Sequence, residues 1–471
     1  MIRGGTVVDQ RGSRPADVLV RDGIIVSVGP KVSGGPAGTV VVDGAGCIVA
    51  PGLVDLHAHL REPGNEEAET VESGARAAAR GGYTAVVAMP NTEPAIDSAP
   101  VVRQVLDLGA AAMCEIAVAG AITVGRAGKQ LAPLAEMAAL GVKLFTDDGT
   151  GVQDARLMRR ALEYASALDV TLAQHCEDAC LAAGGQMHEG EWSSRLGLPG
   201  IPAEAEELMV SRDLALCRLT GAPVHFLHLS TAGSVDLVRG AKASRLRVTA
   251  EAAPHHFTLL DAEVASYDPV FKVNPPLRTA ADVAAIKAGL ADGTLDAIAT
   301  DHAPHAQEAK EAPFDQAPPG MLGLETALGL AMTELDLPIE RLLALLSWQP
   351  ARIAGLTGRH GGPIVEGRVA NLCVIDPDAS WVVEPWALAS KSHNSPYGGR
   401  KLTGRVRHTI LRGEPVVIDG EAQRREPLLP RPGWCWRTVP SLRARRPAGN
   451  HRTGLPLAKW CSTRCWPVIR R

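Results

Sequence analysis

The chain has 471 residues, of which 46% are hydrophobic and 21% charged, as is ordinary for a globular protein. Its net charge of −4 does not favour binding to nucleic acid or to an anionic membrane, and no apolar run approaches the roughly 20 residues that span a bilayer. The nine cysteines are scattered without a CxxC pair, and because strand-like sequence begins at once, we expect no signal peptide. We therefore expect a cytoplasmic protein with reduced thiols.

Residues 1–50 have the pattern of a small all-β unit. Short β-branched runs alternate with Asp-Gly and Gly-Gly turns, and no segment with helical periodicity interrupts them. The predicted strands are residues 6–9, 17–20, 24–28 and 39–42.

From residue 53 the pattern changes to strand, loop and helix, repeated. The strand-like runs are residues 53–56, 83–88, 115–120, 142–146, 170–174, 224–229, 246–251 and 295–300. Helices are predicted at residues 70–80, 154–168, 202–219 and 279–290. Eight such units over about 250 residues match a closed (β/α)8 TIM barrel in number and length. A doubly wound open sheet is the alternative, but no GxGxxG follows the first strand.

After predicted helices at 323–334 and 338–346 the chain becomes β-rich again, with strands expected at 371–376, 381–383, 406–411 and 415–418. We infer that residues 1–50 and 358–425 pair into one small β-sandwich domain and that the barrel, 51–357, is inserted between its halves. Residues 427–471 carry ten Lys/Arg and no Asp/Glu. We interpret 426–471 as a disordered basic tail, with an interaction tail for acidic surfaces as the alternative.

Polar residues follow the predicted barrel strands at their C-terminal ends, where barrels of this class place their working residues. His57 and His59 end the first strand, and because side chains alternate along a strand, they point to the same side. The later strands end in the remaining candidates, Asn91, Asp148, His175, His228 and Asp301.

Four histidines and two carboxylates on one rim supply six N/O ligands. That number suffices for two divalent ions with one bridging carboxylate, and the donor types suit zinc, with manganese or cobalt as alternatives. Two such ions would acidify a water, and a nearby aspartate could move its proton to a leaving nitrogen. This pattern points to hydrolysis of an amide or a cyclic imide.

Several longer motifs make the chain resemble the amidohydrolase superfamily, and within it the bacterial type I dihydroorotases. The matching segments are DLHAHLREPG (55–64), MPNT (89–92), FTDDG (145–149), HCED (175–178), KVNPPLR (272–278), ATDHAPH (299–305) and GLET (323–326). Their order and spacing fit over residues 1–425.

The resemblance implies a role for each candidate. His57, His59 and Asp301 would bind one zinc, His175 and His228 the other, and Asp148 would bridge the two, with Asp301 also serving as proton shuttle. Arg61, Asn91 and His305 would hold the α-carboxylate of the substrate, Asn274 and His59 would border it, and backbone near Pro319 and Gly320 would close over the ring. The implied reaction is reversible cyclisation of N-carbamoyl-L-aspartate to L-dihydroorotate in pyrimidine biosynthesis.

Two departures and three alternatives accompany this hypothesis. Lys143 stands where related enzymes carry a carboxylated bridging lysine, although the intact Asp-Asp-Gly motif favours Asp148 as the bridge. Pro318-Pro319-Gly320 replaces the aromatic residue that the family tends to have before that glycine.

The alternative functions are those of a dihydropyrimidinase or hydantoinase, of an allantoinase, and of an inactive scaffold for aspartate transcarbamoylase. We expect a small-molecule substrate and a homodimer, and an active enzyme could still dock to that transcarbamoylase.

Overall fold

The computed structural model describes residues 1–35 and 38–423, so the predicted tail at 426–471 lies outside the described residues. Its central element is one sheet of eight parallel strands that pair in chain order. These strands are Leu53–Ala58, Tyr83–Ala88, Glu115–Gly120, Leu144–Phe145, Thr171–Gln174, Val224–Phe226, Val248–Ala252 and Ala297–Ile298. Ala58 pairs with His302, just past the last strand, and this bridge closes the barrel. The predicted TIM barrel is confirmed.

The barrel strands carry small aliphatic residues on both faces because both faces are buried. On the second strand, Ala85 and Val87 face the barrel interior, whereas Val86 packs in the outer layer between strands and helices. This alternation fills a narrow interior with alanine and valine together with a few larger residues such as Leu56 and Leu144. The low aromatic content of the sequence, 4%, is consistent with such a core.

Helices cover the outside of the barrel and begin where the sequence provides capping residues. The Thr70 side chain accepts the Ser73 N–H at the start of the first helix, and Asp154 caps a later one by accepting the Leu157 N–H. The helices are Val71–Arg80, Ala99–Leu108, Leu134–Ala138, Ala155–Leu168, Glu191–Leu196, Glu204–Thr220, Ala232–Ala243, Ala280–Asp292, Gln307–Lys310, Ala327–Glu334, Ile339–Leu343 and Gln349–Ile353. No helix among the described residues is long and apolar enough to cross a membrane.

Two further sheets, built from strands at both ends of the described chain, share one core. The seven-stranded sheet contains Glu421–Ala422, Glu414–Ile418, Lys401–Leu411, Leu372–Val382, Ile48–Pro51, Thr6–Asp9 and Gly12–Pro15, in that order. The four-stranded sheet contains Ile24–Gly29, Asp17–Arg21, Ile2–Arg3 and Val42–Asp43. Val18 of the smaller sheet packs in the same cluster as Val49 and Leu372 of the larger one, which gives the predicted sandwich. The domain boundaries at 50 and 357 stay a prediction.

The strand predictions for these sheets differ from the structure in detail. The two runs expected at 371–376 and 381–383 form one strand, Leu372–Val382, because an irregularity in its pairing between Asp376 and Ser380 accommodates Pro377. Gly12–Pro15 is an edge strand without a β-branched residue, so its sequence gave no signal. In the run expected at 39–42 only the last residue belongs to a strand, Val42–Asp43.

Candidate active site

The C-terminal ends of the barrel strands bring all six predicted metal ligands into one buried cluster. The Nε2 atom of His57 lies 3.4 Å from Asp148 Oδ2 and 3.5 Å from Asp301 Oδ1. The Nε2 atom of His59 lies 3.5 Å and 3.2 Å from the same two oxygens. The first strand therefore presents both of its imidazoles to both carboxylates.

The other two histidines face the second oxygen of Asp148. His175 Nδ1 and His228 Nε2 lie 3.6 Å and 3.4 Å from Asp148 Oδ1, and 3.1 Å from each other. The two oxygens of this carboxylate thus point to two different histidine pairs. A bridging ligand between two metal ions needs this arrangement.

Two ligand atoms in the cluster, His57 Nε2 and Asp148 Oδ1, are buried and have no hydrogen-bond partner among the described residues. Buried polar atoms without partners are costly, and a bound cation would satisfy them. Two triplets lie close enough to share an ion, one of His57, His59 and Asp301 and one of His57, Asp148 and His228. The residues present therefore fit divalent metal ions.

Second partners fix which nitrogen of each first-strand histidine faces the cluster. His57 Nδ1 lies 3.1 Å from a carboxylate oxygen of Glu251, and His59 Nδ1 lies 2.8 Å from Asn91 Oδ1. Both oxygens can only accept, so each Nδ1 carries a proton and each Nε2 is the nitrogen that faces the cluster.

A cavity of about 180 Å³ opens beside the cluster. All the predicted substrate residues line it, namely His59, Arg61, Asn91, Asn274, His305, Pro319 and Gly320. Arg61 donates from Nε to the carbonyl of Pro304 at 3.0 Å, and although burial lowers the pKa of Arg61 to about 10, its guanidinium stays charged at neutral pH. Asn274 Oδ1 is buried there without a hydrogen-bond partner among the described residues.

Comparisons with known proteins support the resemblance to the dihydroorotases. A family model described as dihydro-orotase-like matches residues 46–234. A dihydroorotase of Pelotomaculum thermopropionicum is 49% identical over 426 residues, covering 89% of this chain and 98% of that protein. A dihydroorotase of Streptomyces coelicolor is also 49% identical, over 428 residues, covering 89% of this chain and 99% of that one. This chain belongs to the dihydroorotase family.

Solved structures relate the family fold to other cyclic amide hydrolases. An L-hydantoinase (dihydropyrimidinase) from Arthrobacter aurescens superposes with a TM-score of 0.81 at 25% identity, covering 90% of this chain and 97% of that one. Membership in the dihydroorotase family and this shared fold make the chain an enzyme that acts on cyclic amide bonds.

In this dihydroorotase-family chain Lys143 lies away from the cluster. Leu144 points into the barrel, so its neighbour Lys143 points outward, where its Nζ donates to the carbonyl of Asp169 at 3.3 Å. The side chain is 43% exposed. The structure thus places Asp148, and not Lys143, between the two histidine pairs.

Glu251 lies behind the candidate metal ligands and was missed by the sequence-based prediction. Its buried carboxylate accepts from both His57 Nδ1 and His225 Nε2, the latter at 2.9 Å. Burial would raise the pKa of Glu251, but the hydrogen bonds from His225 and His57 outweigh it and lower the pKa to about 2. The available signal was a charged residue inside the buried run Val248–Ala252.

The electrostatics of the cluster are strongly coupled. Burial would raise the pKa of Asp148, yet the surrounding imidazoles, His57 foremost, hold it well below its usual range. Burial would likewise raise the pKa of Asp301, and the hydrogen bond from His59 with the charge of His57 lowers it instead. Both carboxylates are therefore ionised at neutral pH, as metal ligands require.

Three site residues have backbones in the left-handed region. The φ angles are 62° at Arg61, 30° at His228 and 47° at Asp301. Non-glycine residues rarely adopt this conformation, and these three residues adopt it where their side chains turn into the site.

Proposed function

We propose that this chain catalyses the reversible cyclisation of N-carbamoyl-L-aspartate to L-dihydroorotate in pyrimidine biosynthesis. The observation that carries this proposal is the charged Arg61 in the wall of the cavity beside the metal-ligand cluster. Substrate and product both keep a free carboxylate, so a fixed cation beside the reacting centre suits the reaction in either direction.

Two zinc ions fit the donor set. His57, His59 and Asp301 would hold one ion, His175 and His228 the other, and Asp148 would bridge them, because its two oxygens face the two histidine pairs. When bound, such ions acidify a water and polarise the carbonyl under attack.

The substrate carboxylate would be held at the far side of the cavity from the carboxylate pair. Arg61 offers its guanidinium, and Asn91, whose Oδ1 is already occupied by His59, has its amide N–H groups for the substrate. His305 lines the same wall with Arg61 Nη2 3.4 Å from its ring. This placement would direct the amide end of the substrate toward the cluster.

Asp301 would move the proton. Its low pKa keeps it ionised, so that it can accept a proton from the attacking water and return it to the ring nitrogen when the amide bond breaks. In ring closure the same carboxylate would take the proton from the carbamoyl nitrogen. Its Oδ1 lies 3.2 Å from His59 Nε2, within the cluster and beside the cavity.

A hydantoinase or allantoinase activity is the second candidate, favoured by the shared fold with the hydantoinase structure. An inactive scaffold is disfavoured because all six candidate ligands are present and clustered. The deciding experiment assays metal-loaded protein against L-dihydroorotate, hydantoin and allantoin. Turnover of L-dihydroorotate alone is expected, whereas turnover of hydantoin without L-dihydroorotate would refute the proposal.

The resemblance to the family also supports a cytoplasmic homodimer, with docking to aspartate transcarbamoylase as a further possibility for the active enzyme. Light scattering after size-exclusion chromatography, with and without the transcarbamoylase, tests both. A monomer that elutes unchanged beside the transcarbamoylase would refute them.

A further inference from the structure

Residues 303–322 form the wall of the cavity that carries His305, Pro319 and Gly320, and we call them the substrate segment. Two side chains that do not line the cavity, those of Asn394 and Lys310, hydrogen-bond to its main chain. The fastening determines where the candidate substrate residues lie, so it bears directly on binding.

Asn394 makes three of these contacts. It comes from the loop between the strands Leu372–Val382 and Lys401–Leu411, and it is only 7% exposed. Its Oδ1 accepts from the His305 N–H at 3.2 Å, and its Nδ2 donates to the carbonyls of Ala303 at 3.0 Å and Gly320 at 3.1 Å. One amide thus joins both ends of the substrate segment.

Lys310 makes a second set of contacts. Its Nζ donates to the carbonyls of Pro318 and Pro269, each at 2.8 Å, and of Lys272 at 3.3 Å. Three carbonyl oxygens surround this Nζ, and no described carboxylate forms an ion pair with it within 4.0 Å. The lysine therefore holds main chain and ties the substrate segment to the stretch that leads to Asn274.

Consecutive carbonyls of the substrate segment are occupied as a result. Pro318 accepts from Lys310, Pro319 from His305 Nε2 at 2.9 Å, and Gly320 from Asn394. The Gly320 N–H donates to the carbonyl of Lys272 at 2.8 Å. The protein itself satisfies these groups, so the segment has its shape before any substrate arrives.

We propose that Asn394 and Lys310 are positioning residues that hold the substrate segment in its binding arrangement. They act through His305 and Gly320 and do not touch the substrate. The substrate named in the following test rests on the proposed function, whereas the fastening of the segment does not.

The test compares Asn394→Ala and Lys310→Met with the wild-type enzyme and with Lys287→Met. Lys287 is a matched control because its Nζ pairs with Glu334 at 3.3 Å on the helix layer. For each protein, KM and kcat with L-dihydroorotate, bound metal, and amide hydrogen exchange over residues 303–322 are measured.

We expect both variants to raise KM about tenfold or more while kcat changes less than about threefold, as for lost ground-state binding. Metal content should stay unchanged, exchange in residues 303–322 should become faster, and Lys287→Met should match the wild type. A merely structural role would lower the melting temperature without this split between KM and kcat.

Unchanged KM and unchanged exchange in a folded variant would overturn the proposal, as would a fall in kcat that follows loss of metal. If Asn394→Ala does not fold, Lys310→Met alone decides. If wild-type protein does not act on L-dihydroorotate, the proposed function fails, and the exchange of residues 303–322 still decides whether the two residues hold the segment.

Discussion

Removal of the Glu251 carboxylate should weaken metal binding at a site that this residue does not touch. Glu251 accepts the Nδ1–H of His57 and thereby keeps its Nε2 facing Asp148 and Asp301. In Glu251→Met the buried Nδ1–H loses its acceptor, and the ring is free to rotate or to change tautomer. Either change removes a ligand nitrogen from the cluster.

The expected loss of metal affinity can be estimated from the hydrogen bond between Glu251 and His57. Loss of an outer partner of a metal-bound histidine typically weakens metal affinity about 10- to 100-fold. Since tenfold corresponds to about 1.4 kcal/mol, the expected loss is about 1.4–2.8 kcal/mol. This agrees with the roughly 1.5–3 kcal/mol that a hydrogen bond to a charged group contributes.

Glu251→Gln should be milder than Glu251→Met. The amide oxygen can still accept from His57. Its NH2 can donate to His225 Nε2 when that ring carries its proton on Nδ1, which lies 2.8 Å from Thr249 Oγ1 and can donate to it. Thr249→Val is the control that removes only the contact with Thr249, and it should leave metal affinity within about twofold, because three hydrogen bonds separate Thr249 from His57.

Competition with a chromophoric chelator measures the affinity of each protein for zinc, and circular dichroism confirms that each is folded. We expect the order wild type, Gln variant, Met variant from tightest to weakest. A folded Glu251→Met that binds zinc as tightly as the wild type would refute the reasoning.

Three further predictions concern substrate, bridge and stability. Arg61→Met should raise KM for L-dihydroorotate at least about tenfold, since it removes a charge-assisted hydrogen bond to the carboxylate; an unchanged KM in steady-state assays would contradict this. Asp148→Ala should lose bound metal while Lys143→Met keeps it, as elemental analysis would show; the opposite result would make the lysine the bridge. Burial would raise the pKa of Glu115, but contacts with His360, Arg359 and Arg412 lower it far below 4.5. Its stabilising effect is therefore present above pH 4.5 and lost as the pH falls through the folded pKa, so Glu115→Gln should cost about 3 kcal/mol at pH 7 and less in acid. Urea unfolding at pH 7 and pH 4 measures this difference, and a gap that does not shrink would argue against the ion cluster.

Local sequence patterns were sufficient for the barrel and for the residues at its rim. The strand Leu53–Ala58 contains His57 and is followed directly by His59, and later barrel strands also end in polar residues. Because the C-terminal ends of the barrel strands lie on one rim, the topology predicts that these residues lie close together. The fourth and eighth strands, Leu144–Phe145 and Ala297–Ile298, are shorter than their apolar runs, which periodicity alone could not reveal.

Residues whose roles depend on long-range contacts could not be predicted in this way. Glu251 acts on His57, 194 positions away, and its role depends on both side chains facing the barrel interior. Asn394 reaches Ala303 across 91 positions from a loop without regular structure. Lys143 is the opposite case. Its position in the motif suggested a role in the site, whereas the alternation of side chains along the strand turns it outward.

The most direct test of the account is the rate of ring closure from N-carbamoyl-L-aspartate, measured with wild-type protein and with Asp301→Asn at matched metal content. The account predicts that the wild type forms L-dihydroorotate and that the variant is slower by at least about 100-fold, because the amide cannot take up the proton. The account would be contradicted if metal-loaded wild-type protein formed no L-dihydroorotate, or if the two proteins reacted at equal rates.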